Sequence, residues 1–322
     1  MGLKATVIKL FDLSVLRGKT IKSKGKFMSQ SVKKVVIPVA GLGTRGLPFT
    51  KEVPKELLPI IDTPTIHFIA EEVLAAGIEQ VIFITSKGKH ALEDYFDLSP
   101  NLENWLRKRG KEALADKVRQ IGTFCEVISV RQKEPLGLGH AVYCARNIIG
   151  QEKFAVCLGD EIFPPWDKIN QTQAPLRKLV DAAIELDTST VGVVEIPIAD
   201  SLSYGILDLG GKSLGENPAP VLRTVEKPKP EVAPSPYAII GRYVFDSTLF
   251  DALKETKPGV GGEIQLTDAM DKLCANRKLH GVLLKGCRYD IGNPMFYMKA
   301  QIDAALRRPE LSQRLRDYMK SL

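Results

Sequence analysis

Cysteine and histidine are scarce in this chain, and neither is spaced as a set of metal ligands. The five cysteines, an odd number, form no Cys-x-x-Cys pair; they are Cys125, Cys144, Cys157, Cys274 and Cys287. The four histidines form no His-Glu-x-x-His motif. These absences argue against a disulfide framework and against a structural zinc site. Cysteines used as small apolar residues predict a reducing compartment, the cytoplasm.

Long hydrophobic runs are also missing, and we expect no membrane partner. A helix that spans a bilayer needs about 20 apolar residues, and no run of that length is present. Residues 7–16 are interrupted by Lys9 and Asp12 and make a poor signal peptide. We expect residues 1–32 to be a basic, poorly ordered extension, because the sequence from Met28 onward begins as a compact domain would.

Outside this N-terminal segment the chain has almost no net charge. The formal charge is +7, but residues 1–34 hold nine Lys and Arg side chains against one acid, and the remainder has 36 basic and 37 acidic residues. A protein that binds nucleic acid carries its basic residues on the folded domain. The charge therefore predicts no nucleic-acid partner.

A glycine-rich turn follows the apolar run 35–39, and its spacing fits a dinucleotide-binding fingerprint. Gly41-x-Gly43-x-x-Gly46 matches the pattern literally, and Asp62 lies near the expected distance for a ribose-binding acid. That fingerprint needs a helix that starts at the glycines. Three prolines between residues 48 and 59 exclude a regular helix there, so we reject this interpretation.

Two other interpretations of the turn differ in what they explain. A phosphate-binding P-loop fails because Leu47-Pro48 stands where Lys-Ser or Lys-Thr is required. An ordinary turn does not explain why three cations that have no packing role, Arg45, Lys51 and Lys55, are crowded in one short loop. Cations beside exposed backbone amides indicate polyphosphate binding.

The alternation of apolar runs and amphipathic segments predicts an α/β fold. Strands are expected at 35–39, 81–85, 125–130, 154–158 and 191–195, and helices at 65–76, 101–120 and 139–148. This order is typical of a largely parallel sheet with helices on both faces, where ligands bind beyond the carboxyl ends of the strands. The glycine loop, Gln132 and Asp160 each follow such an end.

The second half of the chain has a different pattern. Residues 200–245 contain short β-rich pieces with many Gly and Pro, which predicts a smaller mixed or antiparallel β-layer. Helices are expected at 247–255, 263–275, 294–307 and 310–320. The last two are basic and amphipathic, and are either a solvated terminus or a subunit contact; we favour the contact.

A series of motifs resembles the sugar-nucleotide pyrophosphorylases, and in particular the bacterial UTP–glucose-1-phosphate uridylyltransferases. The resemblance covers residues 33–307. The motifs, in order, are Gly41-x-Gly43-Thr44-Arg45, Pro54-Lys55-Glu56, residues 131–141, Leu158-Gly159-Asp160, Val225-Glu226-Lys227-Pro228, Gly241-Arg242-Tyr243, residues 262–269 and residues 288–293.

This resemblance implies an architecture and an activity. The fold would be a Rossmann-like nucleotidyltransferase core with a mostly parallel or mixed sheet flanked by helices, a smaller β-layer and C-terminal helices. The enzyme would transfer uridylyl from UTP to glucose 1-phosphate with Mg²⁺, and would be a homo-oligomer, a dimer or a tetramer. We expect a UTP-binding part at about 33–190, a sugar-binding part at 191–292 and C-terminal helices at 293–322.

Residue roles for UTP follow from the same resemblance. Arg45 and Lys55 would bind its phosphates, Gln132 would read the uracil, and Gly137 would pack beside the base. The backbone of the glycine loop would wrap the triphosphate through Ala40, Gly41, Gly43 and Thr44. We expect catalysis to depend on Arg45, Lys55, Asp160 and Lys227.

The metal and the sugar phosphate have their own residues. Asp160 is the expected Mg²⁺ ligand, because Mg²⁺ favours carboxylates together with phosphate oxygens, and Asp290 is expected to be a second one. Glu226 would accept hydrogen bonds from glucose hydroxyls, Lys227 would bind the sugar phosphate, and Gly205 would allow the sugar to approach closely.

Structural alternatives stay open for several of these residues. Asp160 could cap a turn, Lys227 could be an exposed lysine in an extended segment, and Asp290 could be a structural hydrogen-bond acceptor. His140 would either touch ligand or be a polar residue at a helix start.

Three positions depart from the family pattern. Gly46 stands where a bulky apolar residue is usual, Leu57 where methionine is usual, and Glu161 where a second Asp is usual. None removes a phosphate-binding cation. Two alternative functions are a catalytically silent regulatory paralogue and a related thymidylyltransferase.

Overall fold

The computed structural model describes residues 31–163 and 174–322. The predicted extension at 1–32 lies almost wholly outside these residues. The described part of the chain contains fourteen strands. They are β1 (Lys34–Pro38), β2 (Pro59–Ile60), β3 (Thr63–Pro64), β4 (Gln80–Thr85), β5 (Glu126–Arg131), β6 (Phe154–Cys157), β7 (Glu161–Ile162), β8 (Ser189–Glu195), β9 (Gly205–Asp208), β10 (Ala219–Pro220), β11 (Arg223–Glu226), β12 (Tyr237–Phe245), β13 (Leu279–Leu283) and β14 (Tyr289–Asp290).

Eleven α-helices connect and flank these strands within the same ranges. They are α1 (Thr65–Ala75), α2 (His90–Tyr95), α3 (Pro100–Arg107), α4 (Glu112–Gly122), α5 (Leu138–Cys144), α6 (Arg146–Ile149), α7 (Pro175–Glu185), α8 (Thr248–Lys254), α9 (Leu266–Ala275), α10 (Pro294–Arg307) and α11 (Pro309–Ser321). None of them is long and apolar enough to cross a bilayer.

Ten of the strands form one mixed sheet. Eight follow the order β10-β13-β8-β12-β6-β1-β4-β5, and β9 and β11 branch from β12. Strands β6, β1, β4 and β5 are mutually parallel, whereas β12 runs antiparallel to both β6 and β8. The α/β fold with a mixed sheet is confirmed. Strand β12 is an antiparallel strand between two parallel groups, because β8 and β13 are parallel to each other and run in the same direction as β6.

The alternation of side chains along β1 explains why both faces of the sheet are covered. Val35 and Ile37 pack with α1 and α7, while Val36 packs on the other face with α5, α8 and α9. Successive strand residues point to opposite faces, and a strand that is apolar on both sides must therefore be buried on both.

The strands expected to form a smaller β-layer are present, but they belong to the main sheet. Strands β9 and β11 pair antiparallel with each other, as expected, and β9 joins the main sheet through one antiparallel contact with β12. The second half of the chain thus extends the sheet that the first half begins.

Two predicted helices are each divided in two. The helix expected at 101–120 is interrupted after Arg107 by Gly110, whose φ of +69° suits glycine in a left-handed turn. The helix expected at 139–148 is divided between α5 and α6 at Ala145. The glycine loop contains no α-helix, only 3₁₀ turns at Thr44–Gly46, Phe49–Lys51 and Lys55–Leu57, so the dinucleotide fingerprint is excluded.

Candidate active site

The sequence motifs meet at one edge of the sheet. Strands β1, β4, β5 and β6 are parallel, so the segments that follow them leave from the same edge. These segments carry the glycine loop, Lys89, Gln132 and Asp160. Ala40 is buried at the end of β1, and the chain becomes exposed from Gly41 onward.

Four charged residues from three distant segments contact one another at this edge; we call Arg45, Lys55, Asp160 and Asp290 the Asp160 cluster. The Lys55 Nζ atom donates to Asp160 Oδ2 at 2.5 Å. The Arg45 Nη1 atom donates to Asp290 Oδ2 at 3.0 Å, and its Nη2 atom lies 3.7 Å from Asp160 Oδ2. Two cations and two carboxylates are therefore collected at one point.

The charges of this cluster stabilise one another. Burial by itself would raise the pKa of Asp160, but the neighbouring Lys55 and Arg45 hold it below its ordinary value. Burial by itself would lower the pKa of Lys55, and the Asp160 and Glu56 carboxylates raise it instead. Asp160 is therefore ionised and Lys55 protonated at neutral pH.

Pairing of backbone segments brings Asp290 beside Asp160. Strand β14 pairs with β7 so that Asp290 lies opposite Glu161, and the Ile291 N–H donates to the Asp160 carbonyl oxygen at 2.8 Å. The Asp290 carboxylate also accepts from the Gly292 N–H at 2.8 Å. Asp290 is both a local hydrogen-bond acceptor and a member of the charged cluster.

The two carboxylates form a suitable donor set for Mg²⁺. No group of three or more His, Cys, Asp or Glu side chains that could hold a metal occurs among residues 31–163 and 174–322. Asp160 and Asp290 nevertheless reach the same guanidinium. Mg²⁺ commonly uses one or two carboxylates and completes its coordination with substrate phosphates and water, so these residues fit that ion.

A second ion pair lies beneath the cluster and was missed in the sequence. Lys89 follows β4, and its Nζ atom donates to Glu56 Oε2 at 3.2 Å, with Glu56 fully buried. Burial raises the pKa of Glu56, although the charge of Lys89 acts in the opposite direction. Burial likewise lowers the pKa of Lys89, although the charge of Glu56 acts to raise it. The available signal was a lysine placed after a strand end, as in the glycine loop.

Glu161 and Arg288 were also missed as a pair. The Arg288 Nη1 atom forms an ion pair with Glu161 Oε1 at 3.5 Å. Arg288 Nη1 and the other carboxylate oxygen, Glu161 Oε2, are both buried without a hydrogen-bond partner. Burial, together with the nearby Asp160 and Asp290 and in spite of Arg288, raises the pKa of Glu161 to about 8. Glu161 is therefore largely protonated at neutral pH.

A cavity of about 310 Å³ opens beside the Asp160 cluster. Its walls include the glycine loop on one side and the start of α10 on the other. The principal lining residues are Gly43, Thr44, Arg45, Lys55, Gly292 and Tyr297. Gln132 and Glu226, the residues predicted to contact uracil and glucose, do not line it.

The glycine loop is shaped by Thr50. Gly43 adopts a φ of +65°, and its carbonyl oxygen accepts from Thr50 Oγ1 at 2.7 Å. A Cβ atom at Gly46 would lie 2.6 Å from Thr50 Cγ2. The unusual glycine at position 46 is therefore matched to the threonine that closes the loop.

Gln132 is held by three neighbours. Its backbone N–H donates to the Thr85 carbonyl oxygen at 2.8 Å. Its side-chain Nε2 atom donates to the Gly137 carbonyl oxygen at 3.1 Å and lies 3.0 Å from His140 Nδ1. The structure thus places His140 against the predicted base-reading glutamine.

Gly137 is required by its surroundings. Its φ is +95°, and an added Cβ atom would lie 2.7 Å from Glu263 Cβ and 3.0 Å from the Ile264 nitrogen. The Gly139 N–H donates to the Ile264 carbonyl oxygen at 2.8 Å. The segment before α9 is thereby bonded to the loop that carries the predicted base contacts.

A second group, which we call the Glu226 cluster, consists of Gly205, Glu226, Lys227 and Thr267. Thr267 Oγ1 donates to Glu226 Oε2 at 2.8 Å, and Lys227 Nζ lies 3.4 Å from Glu226 Oε1. A Cβ atom at Gly205 would lie 2.8 Å from Thr267 Cγ2 and 3.4 Å from Glu226 Oε2. The strand pairing of Gly205 with Glu226 places the predicted sugar-binding residues together.

Lys227 is the most exposed cation of the predicted site residues after Arg45. Its side chain is 57% exposed, and its backbone has a φ of +46°, which is uncommon for a residue other than glycine. The Lys227 N–H donates to the Tyr204 carbonyl oxygen at 3.0 Å, which holds this conformation.

Arg288 connects the two clusters. Its Nη2 atom donates to the Tyr204 hydroxyl oxygen at 2.7 Å, and its guanidinium also faces Glu161. Tyr204 precedes Gly205, and Glu161 follows Asp160. One arginine therefore fixes the start of the sugar-side strand to the segment that carries the predicted metal ligand.

Comparison with known proteins agrees with this arrangement. A family model described as nucleotidyl transferase matches residues 34–306. A UTP–glucose-1-phosphate uridylyltransferase of Bacillus subtilis is 45% identical over 295 residues, which is 92% of this chain and 97% of that protein. The enzyme of the same name from Staphylococcus epidermidis is 43% identical over 91% of this chain and 99% of that one.

Solved structures show the same fold. UDP-glucose pyrophosphorylase from Acinetobacter baumannii aligns with a TM-score of 0.81 at 33% identity, covering 90% of this chain and 99% of that one. A UDP-glucose pyrophosphorylase complexed with UDP-glucose aligns with a TM-score of 0.76 at 37% identity, covering 86% and 100%. Because these matches extend along nearly all of the described sheet and its helices, the chain belongs to the nucleotidyl transferase family, in the branch of the UTP–glucose-1-phosphate uridylyltransferases.

Proposed function

We propose that this chain transfers the uridylyl group of UTP to glucose 1-phosphate, with release of pyrophosphate and formation of UDP-glucose. The observation that carries the proposal is the contact of Lys55 and Arg45 with Asp160 and Asp290 at the carboxyl edge of the sheet. Relatives whose names state this activity are 43–45% identical over 91–92% of this chain.

The reaction joins two anions. A phosphate oxygen of glucose 1-phosphate attacks the α-phosphorus of UTP in line, a new P–O bond forms, and the bond to pyrophosphate breaks with its electron pair on the leaving oxygen. The nucleophile is already an anion, so no catalytic base is required. Charge repulsion is the main obstacle, and fixed cations lower it.

Lys55 and Arg45 would bind the UTP phosphates and the charge that develops on pyrophosphate. Both are prepositioned by carboxylates, so they need little reorganisation when substrate enters. The backbone of Ala40, Gly41, Gly43 and Thr44 would surround the triphosphate. Bound Mg²⁺, held by Asp160 and Asp290, would neutralise phosphate charge during the transfer.

The uracil base and the glucose would be recognised on either side of the Asp160 cluster. Gln132 and Gly137 would contact the uracil. Gly205 would admit the glucose ring, Glu226 would accept hydrogen bonds from its hydroxyls, and Lys227 would bind its phosphate. Lys227 is suited to this role because its side chain is 57% exposed and, among residues 31–163 and 174–322, forms an ion pair only with the neighbouring Glu226.

We keep three wider proposals. The UTP-binding part is residues 33–190, the sugar-binding part 191–292, and the C-terminal helices occupy 293–322. The amphipathic α11, which has no buried residue, supports a homo-oligomer. The five free thiols support a reducing, cytoplasmic location.

Pyrophosphate release tests the function directly. The full chain is assayed with UTP, dTTP, CTP or ATP, each with glucose 1-phosphate and Mg²⁺. We expect release with UTP at the highest kcat/KM, and none when Mg²⁺ is replaced by a chelator. A preference for dTTP would instead identify a thymidylyltransferase, and no release with any triphosphate would identify a silent paralogue.

A further inference from the structure

Arg242 is a fully buried arginine whose five N–H donors all have acceptors. It is 0% exposed. Its Nε and Nη2 atoms donate to the Glu72 carboxylate at 3.1 and 2.9 Å. The second Nη2 hydrogen serves the Glu161 carbonyl oxygen at 2.7 Å, and Nη1 lies 3.4 Å from the carbonyl oxygens of Leu158 and Gly241. A guanidinium has five donors, so none is left unused.

Stability alone is a weak reason for such a pair. Removing two charges from water is costly, and apolar side chains of similar volume are often as good or better in a core. Glu72 on α1 also accepts from the Leu176 N–H at 3.0 Å, at the start of α7. The pair therefore connects two helices to β12 at a defined point, so it sets the positions of these elements.

The backbone oxygens that Arg242 binds enclose Asp160. Leu158 and Glu161 stand on either side of Gly159-Asp160, between the end of β6 and the start of β7. The Asp160 carbonyl oxygen accepts from Ile291. A Cβ atom at Gly159 would lie 2.9 Å from Glu56 Cγ, so the turn is also packed against the segment that carries Lys55.

We propose that Arg242, oriented by Glu72, is a positioning residue for the Asp160 carboxylate. It holds the backbone on both sides of Asp160, so that this carboxylate is aligned for a divalent cation and for Lys55 before substrate binds. The inference rests on the proposed function, since it assigns Asp160 to the metal. Support of this kind behind a ligand typically changes metal affinity by about 10- to 100-fold.

Two variants separate positioning from general stability. Arg242→Lys keeps a positive charge beside Glu72 but has fewer donors and cannot reach all five acceptors. Glu72→Leu with Arg242→Met replaces the whole pair by apolar side chains and leaves no unpaired charge. The double variant keeps the test decisive if the single exchange does not fold, as judged by circular dichroism and thermal unfolding.

Two readouts are measured on the full chain. The first is the Mg²⁺ concentration for half-maximal pyrophosphate release, compared with the KM for glucose 1-phosphate. The second, independent of turnover, is Mn²⁺ binding in the presence of UTP, followed by electron paramagnetic resonance. We expect both folded variants to need about 10- to 100-fold more metal, with the KM for glucose 1-phosphate within about twofold of wild type because the Glu226 cluster is untouched.

Lys153→Met is the matched control. Lys153 has a side chain that is only 8% exposed and is paired with Asp187 at 3.1 Å. It lies before β6, at the opposite end of that strand from Asp160. The Lys153→Met variant should need the same Mg²⁺ concentration as wild type. Folded Arg242 variants with a wild-type metal requirement would overturn the positioning role, whereas a wild-type chain that releases no pyrophosphate would overturn the proposed function instead.

Discussion

The Asp160 cluster and the Glu226 cluster differ in how completely their charges are paired. Lys55 and Arg45 already bond to carboxylates on other segments of the chain. In the described part of the chain Lys227 pairs only with its neighbour Glu226, and its side chain is 57% exposed. The cations of the Asp160 cluster, proposed to bind UTP, are therefore prearranged, while the Glu226 cluster, proposed to bind the sugar phosphate, keeps a cation available for ligand. This difference predicts separate consequences for turnover and for sugar-phosphate binding.

The largest effect is expected from Lys55→Ala, which removes a prearranged cation. Loss of one such donor costs about 2.7–4 kcal/mol of transition-state stabilisation, so kcat for pyrophosphate release should fall by about 10²–10³-fold. Steady-state kinetics measure this change. Lys33→Ala is the control, because Lys33 lies just before β1, at the opposite end of that strand from the glycine loop, with a side chain that is 43% exposed. This variant should stay near wild type; an equal loss in both variants would contradict the prearranged role.

Lys227→Ala tests the other side of the comparison. A charge-assisted hydrogen bond contributes about 1.5–3 kcal/mol, so kcat/KM for glucose 1-phosphate should fall by about 10- to 150-fold. Calorimetric titration should show UTP affinity unchanged. Loss of UTP affinity would place Lys227 on the phosphate side and break the distinction between the clusters.

Glu161→Gln sharpens the comparison because it should change how the free energy of unfolding depends on pH. The folded-state pKa of Glu161 is about 8, above its ordinary 4.5, so between these values the folded chain binds more protons than the unfolded chain. The free energy of unfolding therefore falls as pH rises through this window. Glutamine cannot ionise, so the variant should gain stability over wild type by roughly 3–4 kcal/mol from pH 5 to pH 8.

Chemical denaturation at several pH values measures this gain. A constant difference between the two proteins across the window would show that Glu161 does not titrate there. Asp160 supplies the contrast in sign, because its pKa is lowered. Its stabilising contribution is present above pH 3.8, its ordinary pKa, and is lost only as the pH falls through the lowered value.

The smallest effect is expected from Thr267→Val, which keeps the shape of the side chain and removes its hydroxyl. It removes the hydrogen bond that Thr267 Oγ1 donates to Glu226 Oε2 at 2.8 Å. Because this bond would act on the proposed sugar contact only through the orientation of Glu226, we expect a cost of about 0.5–1.5 kcal/mol. The KM for glucose 1-phosphate should rise by about 2- to 12-fold with the UTP KM unchanged. A change confined to UTP would argue against the sugar-side assignment.

Sequence reasoning was most reliable where a local rule decided the structure. The prolines after Gly46 excluded a helix, and the loop contains only short 3₁₀ turns. Residues 200–245 were correctly expected to be β-rich, but β12 (Tyr237–Phe245) lies within the main sheet, between β8 and β6, and not in the smaller β-layer expected there. The single helix expected at 101–120 was wrong because one glycine, Gly110, turns the chain between two helices.

Partners were much harder to predict than elements. Lys89, Arg288 and Thr267 carry no local signal of their contacts, because each meets a residue more than 30 positions away. Arg242 was seen only as part of a motif, and nothing in its neighbourhood along the chain indicates that Glu72 lies against it. Long-range ion pairs depend on how the elements pack.

The amino-acid sequence by itself determined the order of strands and helices and the shape of the glycine loop, because these follow from periodicity, proline and glycine within short segments. It also supplied the two cations and two carboxylates of the Asp160 cluster. Only the tertiary structure decided that these charges meet, since the parallel strands bring their carboxyl ends to one edge and the pairing of β7 with β14 adds Asp290. The physical reason is that a charge's partner is chosen by packing in space, which no local pattern records.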